Sequence, residues 1–337
     1  MKNLPTNISF PRTRMRRTRM RKFSLDLVQE TRLSTTDLIL PLFVIEGRNK
    51  KEEIESMPNI FRKSNDLLLK DIEKCIELGI KAIAIFPNIS KKLKDDIGSE
   101  AINPDNLICR TVRKIKKEFP DIGIICDVAL DPYTLHGHDG LIINEQVDND
   151  KTIKLLEKQS LNQAMAGCDI VAPSDMMDGR VGKIRDFLDK NNYINTQIMS
   201  YSAKFSSSFY YPFREAIGSN YIGDKIDKSS YQINPGNCNE PIRGVSMDIS
   251  EGADMIIVKP GMNYLDIIYR IKKTFKFPTF AYQVSGEYAM LENAFQKKIL
   301  DKPRALIETL LCFKRAGADG IFTYFAMDAA KEIIKLN

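Results

Sequence analysis

The sequence predicts a (β/α)8 TIM barrel: a closed ring of parallel strands jacketed by helices, preceded by an extended N-terminal arm. Three observations carry this. Eight short runs rich in Ile, Val and Phe alternate with amphipathic segments. A helix–Gly–strand junction recurs three times, as Ala166-Gly167-Cys168-Asp169, Glu251-Gly252-Ala253-Asp254 and Ala316-Gly317-Ala318-Asp319. No G-x-G-x-x-G or P-loop follows any of the runs, which disfavours a doubly wound nucleotide-binding sheet.

The arm comes first, as residues 1–22, with the barrel taking 23–337. The arm holds Lys2, Arg12, Arg14, Arg16, Arg17, Arg19, Arg21 and Lys22 and no acid. The chain's net charge of +6 is therefore local, and the remainder is close to neutral. No basic, aromatic-studded domain follows the arm, so a nucleic-acid partner is not expected. No apolar segment suits a secretory signal or a membrane span, and the expected location is the cytoplasm.

The strands are expected at Leu38–Val44, Ala82–Phe86, Gly123–Asp127, Asp169–Ala172, Gln197–Tyr201, Met255–Lys259, Pro278–Tyr282 and Gly320–Tyr324. They are continuously apolar, as strands buried on both faces are. Between them, Leu68, Ile72, Cys75 and Ile76, and then Ile108, Val112, Ile115 and Phe119, fall at helical spacing. Each repeated glycine supplies the left-handed stop that lets a helix pass straight into a strand. The long non-periodic stretches 88–107, 130–150 and 202–240 follow strands, on the face where barrel enzymes carry their sites. The cysteines are Cys75, Cys109, Cys126, Cys168, Cys238 and Cys312, with no C-x-x-C pair. They read as small hydrophobes, not as a disulfide framework. The only histidines are His136 and His138, so a closed Cys/His zinc site has few candidate ligands.

Two lysines stand out by position. Lys259 closes Met255-Ile256-Ile257-Val258, and Lys204 follows Ile198-Met199-Ser200-Tyr201. Both fall at the C-terminal ends of consecutive strands, which lie about 5 Å apart. Mutual repulsion and partial burial lower an amine's pKa toward neutrality. A free amine is a nucleophile that forms a Schiff base with a ketone.

The surrounding words are specific. Met199-Ser200-Tyr201-Ser202-Ala203-Lys204-Phe205 and Ile257-Val258-Lys259-Pro260-Gly261 resemble the two Schiff-base motifs of the porphobilinogen synthase (5-aminolevulinate dehydratase) family. Tyr282-Gln283-Val284-Ser285-Gly286-Glu287-Tyr288-Ala289-Met290 and Ala172-Pro173-Ser174-Asp175-Met176-Met177-Asp178-Gly179-Arg180 resemble two further signatures, and the likeness runs from about Pro11 to the C-terminus. The resemblance implies a lyase that condenses two 5-aminolevulinates into porphobilinogen without an organic cofactor. Lys259 would hold the first substrate and Lys204 the second. It implies Arg214 and Lys228, with Gln232 beside them, as binders of the second substrate's carboxylate; Lys225 is a rival for the role of Lys228. Ser285 and Tyr324 would take the first carboxylate, with Asp127, Asp131, Asp139, Ser174 and Tyr210 in support. It also implies a homo-oligomer, an octamer, in which the arm wraps a neighbouring barrel.

The sequence departs from the family's zinc-type members in the loop after the third strand. Their three cysteine positions hold Ala129, Asp131 and Asp139 here. Thiolates suit zinc and carboxylates a hard cation, so catalytic zinc is not expected, and magnesium at Asp131 and Asp139 stays open. A second departure lies before the sixth strand. Many relatives carry an Arg-Glu pair there whose glutamate holds an allosteric magnesium; this chain reads Arg243-Gly244, which predicts little or no magnesium response. The rival readings are a single-lysine Schiff-base aldolase, a nucleic-acid binder using the arm, and an inactive homologue.

Overall fold

The computed structural model describes residues 9–219 and 227–336. The chain divides into two compact units between Arg32 and Leu33. In the first unit a 3-10 turn, Arg17–Arg19, precedes a short helix, Lys22–Leu27, and neither buries a side chain.

The second unit is the barrel. Its strands are β1 Leu38–Ile45, β2 Ala82–Asn88, β3 Gly123–Val128, β4 Ile170–Pro173, β5 Gln197–Lys204, β6 Met255–Lys259, β7 Thr279–Tyr282 and β8 Gly320–Phe322. They pair in chain order, all parallel, and β8 closes on β1 through Leu38–Ile321 and Ile39–Phe322. All eight expected strands are present. The loops add two short antiparallel pairs: Lys51–Glu53 with Phe61–Lys63, and Leu141–Ile143 with Gln146–Asp148.

Apolar content explains the ring. Every residue of β1 is buried, which only a strand covered on both faces can achieve. The outer helices start where short polar side chains satisfy free N–H groups. Asn106 accepts from Cys109 N at 2.9 Å, Asp148 from Lys151 N at 2.8 Å, and Asp301 from Arg304 N at 3.0 Å.

The threefold phrase has a further physical role. Gly167, Gly252 and Gly317 take left-handed φ values of 104°, 100° and 111°. The aspartate two residues on then reaches the start of the strand before its own. Asp169 accepts from Ile124 N at 2.7 Å, Asp254 from Ile198 N at 2.8 Å, and Asp319 from Thr279 N at 2.7 Å. Each repeat thus ends a helix and ties two adjacent strands at the closed end of the barrel. Among the described residues no helix is long and apolar enough to cross a membrane.

Candidate active site

Lys204 and Lys259 are direct partners in the parallel ladder of β5 and β6, and both are 5% exposed. The ladder is irregular just before them. Ile256 pairs with Ser200 but Val258 pairs with Ala203, so β5 carries one extra residue at Tyr201-Ser202. Such a bulge re-aims the side chains that follow it.

Lys204 Nζ donates to Asp139 Oδ1 at 2.9 Å and to the Ser174 carbonyl at 2.5 Å. Oδ2 of Asp139 accepts from Lys228 Nζ at 2.8 Å and from the Tyr231 hydroxyl at 2.7 Å. One buried carboxylate thus serves two ammonium groups and a phenol. Because Tyr231 directs its proton to Asp139, His138 Nδ1, 3.1 Å from the same hydroxyl, is the donor in that contact.

The surroundings of Lys259 differ. Its ammonium lies 4.6 Å from the centre of the Tyr282 ring, 4.8 Å from Phe213, 5.0 Å from Tyr201 and 5.4 Å from Tyr210. Its carbonyl accepts from the Tyr210 hydroxyl at 2.9 Å. Such ring faces favour a cation, including a protonated imine.

These settings split the two amines. Burial, and then the charge of Lys204, pulls Lys259 down to about 7, against the weaker pull of Asp127, Asp131 and Asp139. Burial also acts on Lys204, but Asp139, Asp131 and Asp127 outweigh it and raise that amine above its ordinary value. Repulsion therefore does not draw both lysines toward neutrality, as position alone suggests; the carboxylates hold the charge on Lys204. Asp139 is pulled far below the usual range: burial opposes this, but Lys204 and Lys228 prevail. Burial and the charge of Asp131 push Asp127 up to about 7, and burial with Asp139 raises Asp131.

The remaining residues named from the sequence fall into two groups. On the Lys259 side, Ser285 Oγ accepts from Phe213 N at 2.9 Å, and the Tyr324 hydroxyl is 3.2 Å from that of Tyr282. Ser285 opens the helix Ser285–Gln296. The next residue must be glycine, since a Cβ on Gly286 would lie 2.6 Å from the Phe209 carbonyl oxygen. On the Lys204 side are Lys228 and the buried Gln232, whose Oε1 has no hydrogen-bond partner among the described residues. Arg214 is half-buried on the helix Tyr211–Ile217. Lys225 lies outside the described residues. Sequence reasoning gave no role to Tyr231 or His138, and of the aromatic cage it named only Tyr210 as a supporting residue, although Tyr282 opens one of the quoted signatures.

The model of the delta-aminolevulinic acid dehydratase family matches residues 12–332. The chain belongs to that family. A delta-aminolevulinic acid dehydratase of Bradyrhizobium diazoefficiens is 55% identical, with 95% of this chain and 90% of the relative covered. One of Chlamydia pneumoniae is 50% identical, over 93% and 94%. A crystal structure of the Toxoplasma gondii delta-aminolevulinic acid dehydratase (porphobilinogen synthase), in complex with the reaction product porphobilinogen, superposes with a TM-score of 0.94. It is 44% identical and covers 96% of this chain and 92% of its own.

The family resemblance raises the question of a metal, and the donors at the mouth form no closed protein cage for one. Among the described residues no group of three or more His, Cys, Asp or Glu side chains is arranged to hold an ion. Both oxygens of Asp139 are already taken by Lys204, Lys228 and Tyr231. Outside the mouth, Gly244 borders a cavity of about 640 Å³, together with Arg180, Ser202, Gln232 and Arg243. A side chain there would meet only the Ser202 carbonyl oxygen, 3.5 Å from its Cβ.

Proposed function

We propose that the chain condenses two molecules of 5-aminolevulinate into porphobilinogen, with loss of two waters, through Schiff bases on Lys259 and Lys204. Family membership supports the reaction. One observation carries the residue assignment: a buried amine, Lys259, held at about 7 next to a second lysine that stays charged.

Lys259 is the more available nucleophile, so the first substrate joins there. Its amine adds to the ketone, water leaves, and the aromatic cage favours the resulting iminium. The iminium acidifies the neighbouring carbon, and Asp127, at about 7, suits the exchange of that proton. Lys204 starts as an ammonium paired with Asp139 and engages the second substrate. Arg214 and Lys228 bind the second carboxylate, with Gln232 beside them and Lys225 as the alternative to Lys228. Ser285 and Tyr324 bind the first. Ser174 and Tyr210 support the two lysines through the contacts already described, and Asp131 tunes the charge of Asp127. The residues named carry these steps themselves; Ala129, Asp131 and Asp139 offer zinc no thiolate, and Gly244 offers no carboxylate to an allosteric magnesium.

The protein works in the cytoplasm as a homo-octamer, with residues 1–22 packed on neighbouring barrels. Exposed Phe10, Met15 and Met20 among the arm's arginines support that use. The test is borohydride trapping with 5-aminolevulinate followed by peptide mapping, alongside a colorimetric assay for the pyrrole. Lys259→Ala should abolish the adduct on that peptide and turnover; activity retained by a folded variant would refute the assignment.

A further inference from the structure

We infer that Arg180, clamped outside the barrel by two buried carboxylates, is the positioning residue that holds the bulge in β5 and so turns Lys204 into the mouth. The inference rests on the reading of Lys204 as an imine-forming lysine.

The geometry begins with strand parity. Ser200 and Lys204 are four residues apart and would share a face in an unbroken strand. Here they do not. The Ser200 hydroxyl donates to Asp248 Oδ2 at 2.7 Å, on the outer helix Glu240–Ser250, whereas Lys204 reaches Asp139 at the mouth. The extra residue at Tyr201-Ser202 makes the difference. A bulge leaves ladder groups without their regular partners, so something must satisfy them.

Arg180 does this. Its Nη2 donates to Ser200 Oγ at 3.1 Å and to the carbonyl of the bulge residue Tyr201 at 3.4 Å. Its Nη1 donates to the Met177 carbonyl at 3.3 Å and to Asp248 Oδ1 at 3.5 Å. Its Nε lies 3.5 Å from Asp175 Oδ2. Arg180, Asp175 and Asp248 are all buried. A charged fork buried to this degree is not a surface ion pair, and its planar donors suit several acceptors at once. The same cluster touches Lys204 from the other side. Asp175 follows Ser174, whose carbonyl accepts the Lys204 ammonium at 2.5 Å. Arg180 thus braces the strand that carries Lys204 and the loop that receives its amine.

The test uses full-length protein, 5-aminolevulinate and borohydride, with mass spectrometry reading adducts at Lys204 and Lys259 separately. In Arg180→Gln the Lys204 adduct should fall at least about tenfold while the Lys259 adduct keeps its wild-type yield. Turnover should fall on the order of a hundredfold, as expected for a reacting group displaced by about 1 Å. Arg180→Lys, which keeps the charge without the fork, should recover part of the Lys204 adduct. Wild-type yields at both lysines, or parallel loss at both in a folded variant, would overturn the inference. If Arg180→Gln shows no melting transition, Ser200→Ala removes the hydroxyl that links Arg180 and Asp248 to β5 and is read by the same two outcomes. Absence of a Lys204 adduct in the wild-type protein would instead refute the two-lysine reading.

Discussion

The pH dependence of imine formation on Lys259 is set by burial and, next, by the charge of a neighbour that can be removed. In the intact protein the rate of trapping at Lys259 should rise with pH through about 7, because the free amine is the reactive form and its pKa lies there. At pH 7 about half of Lys259 is then free, against roughly one part in three thousand for a lysine at the ordinary 10.5. Burial is the larger cause and survives mutation of Lys204; the Lys204 charge does not. Two ammonium groups about 5 Å apart, the spacing of adjacent strands, at an effective dielectric constant of about 20 repel by about 3 kcal/mol, or about two pH units. Lys204→Met should therefore move the midpoint upward by one to two pH units, on the order of the full Coulomb effect. The loss also frees Asp139, which pushes in the same direction. The assay is single-turnover borohydride trapping between pH 5.5 and about 10, with the Lys259 peptide quantified by mass spectrometry. A midpoint that stays near 7, or moves toward acid, would show that the Lys204 charge does not set the reactivity of Lys259.

Four further outcomes are expected. Lys259→Met should raise thermal stability at pH 7 by up to roughly 4 kcal/mol, since the unfolded chain binds more protons than the folded one between about 7 and 10.5; the gain should shrink as pH rises through that window, and a pH-independent change in melting temperature would contradict it. Arg214→Ala should raise the concentration of 5-aminolevulinate needed for half-maximal rate by about a hundredfold, the worth of a charge-assisted contact to a carboxylate, and a fall in turnover alone would argue against the role. Gly244→Ala should stabilise the helix Glu240–Ser250 by about 1 kcal/mol and raise the melting temperature by about 2 °C, because Gly244 is free of left-handed strain and its cavity has room; a lower melting temperature would refute this. Titration of MgCl2 into EDTA-treated protein should give no steep, saturable activation; activation with a shift in oligomer size would show that a cation binds despite Gly244.

The sequence made the ring legible because each strand is apolar on both faces, and a continuous apolar run needs no register to be recognised. Ends were less legible. β5 was expected to stop at Tyr201 and runs to Lys204, because Ser200-Tyr201-Ser202-Ala203 mixes hydroxyls into the run and looks like a loop. Those hydroxyls belong to a strand whose outer neighbours are Arg180 and Asp248, not aliphatic side chains. The repeated Gly-x-Asp phrase was legible as a helix stop, but its aspartate was not legible as a cap on the preceding strand. That contact joins residues 45, 56 and 40 positions apart.

The meeting of the two lysines shows most plainly what sequence position can and cannot decide. Adjacent strand ends bring two side chains to the same rim, but they do not choose the face. Taken as a regular strand, β5 would put Lys204 with Ser200, outside among the helices, and the pair would be split. One extra residue reverses that choice, and no pattern of hydrophobicity announces it. Charge follows from the same event. Once inside, Lys204 meets Asp139, which holds its proton, and its charge then helps to keep Lys259 free of one. The difference between a resting ammonium and a ready nucleophile thus depends on a local irregularity of the backbone. Deleting Ser202 should accordingly keep Lys204 in the mouth, as Ser202→Ala does: one residue fewer makes the ladder regular, with Lys204 three places after Ser200 and still opposite Lys259. A Lys204 adduct lost in the folded deletion variant alone would show that strand parity does not aim the amine.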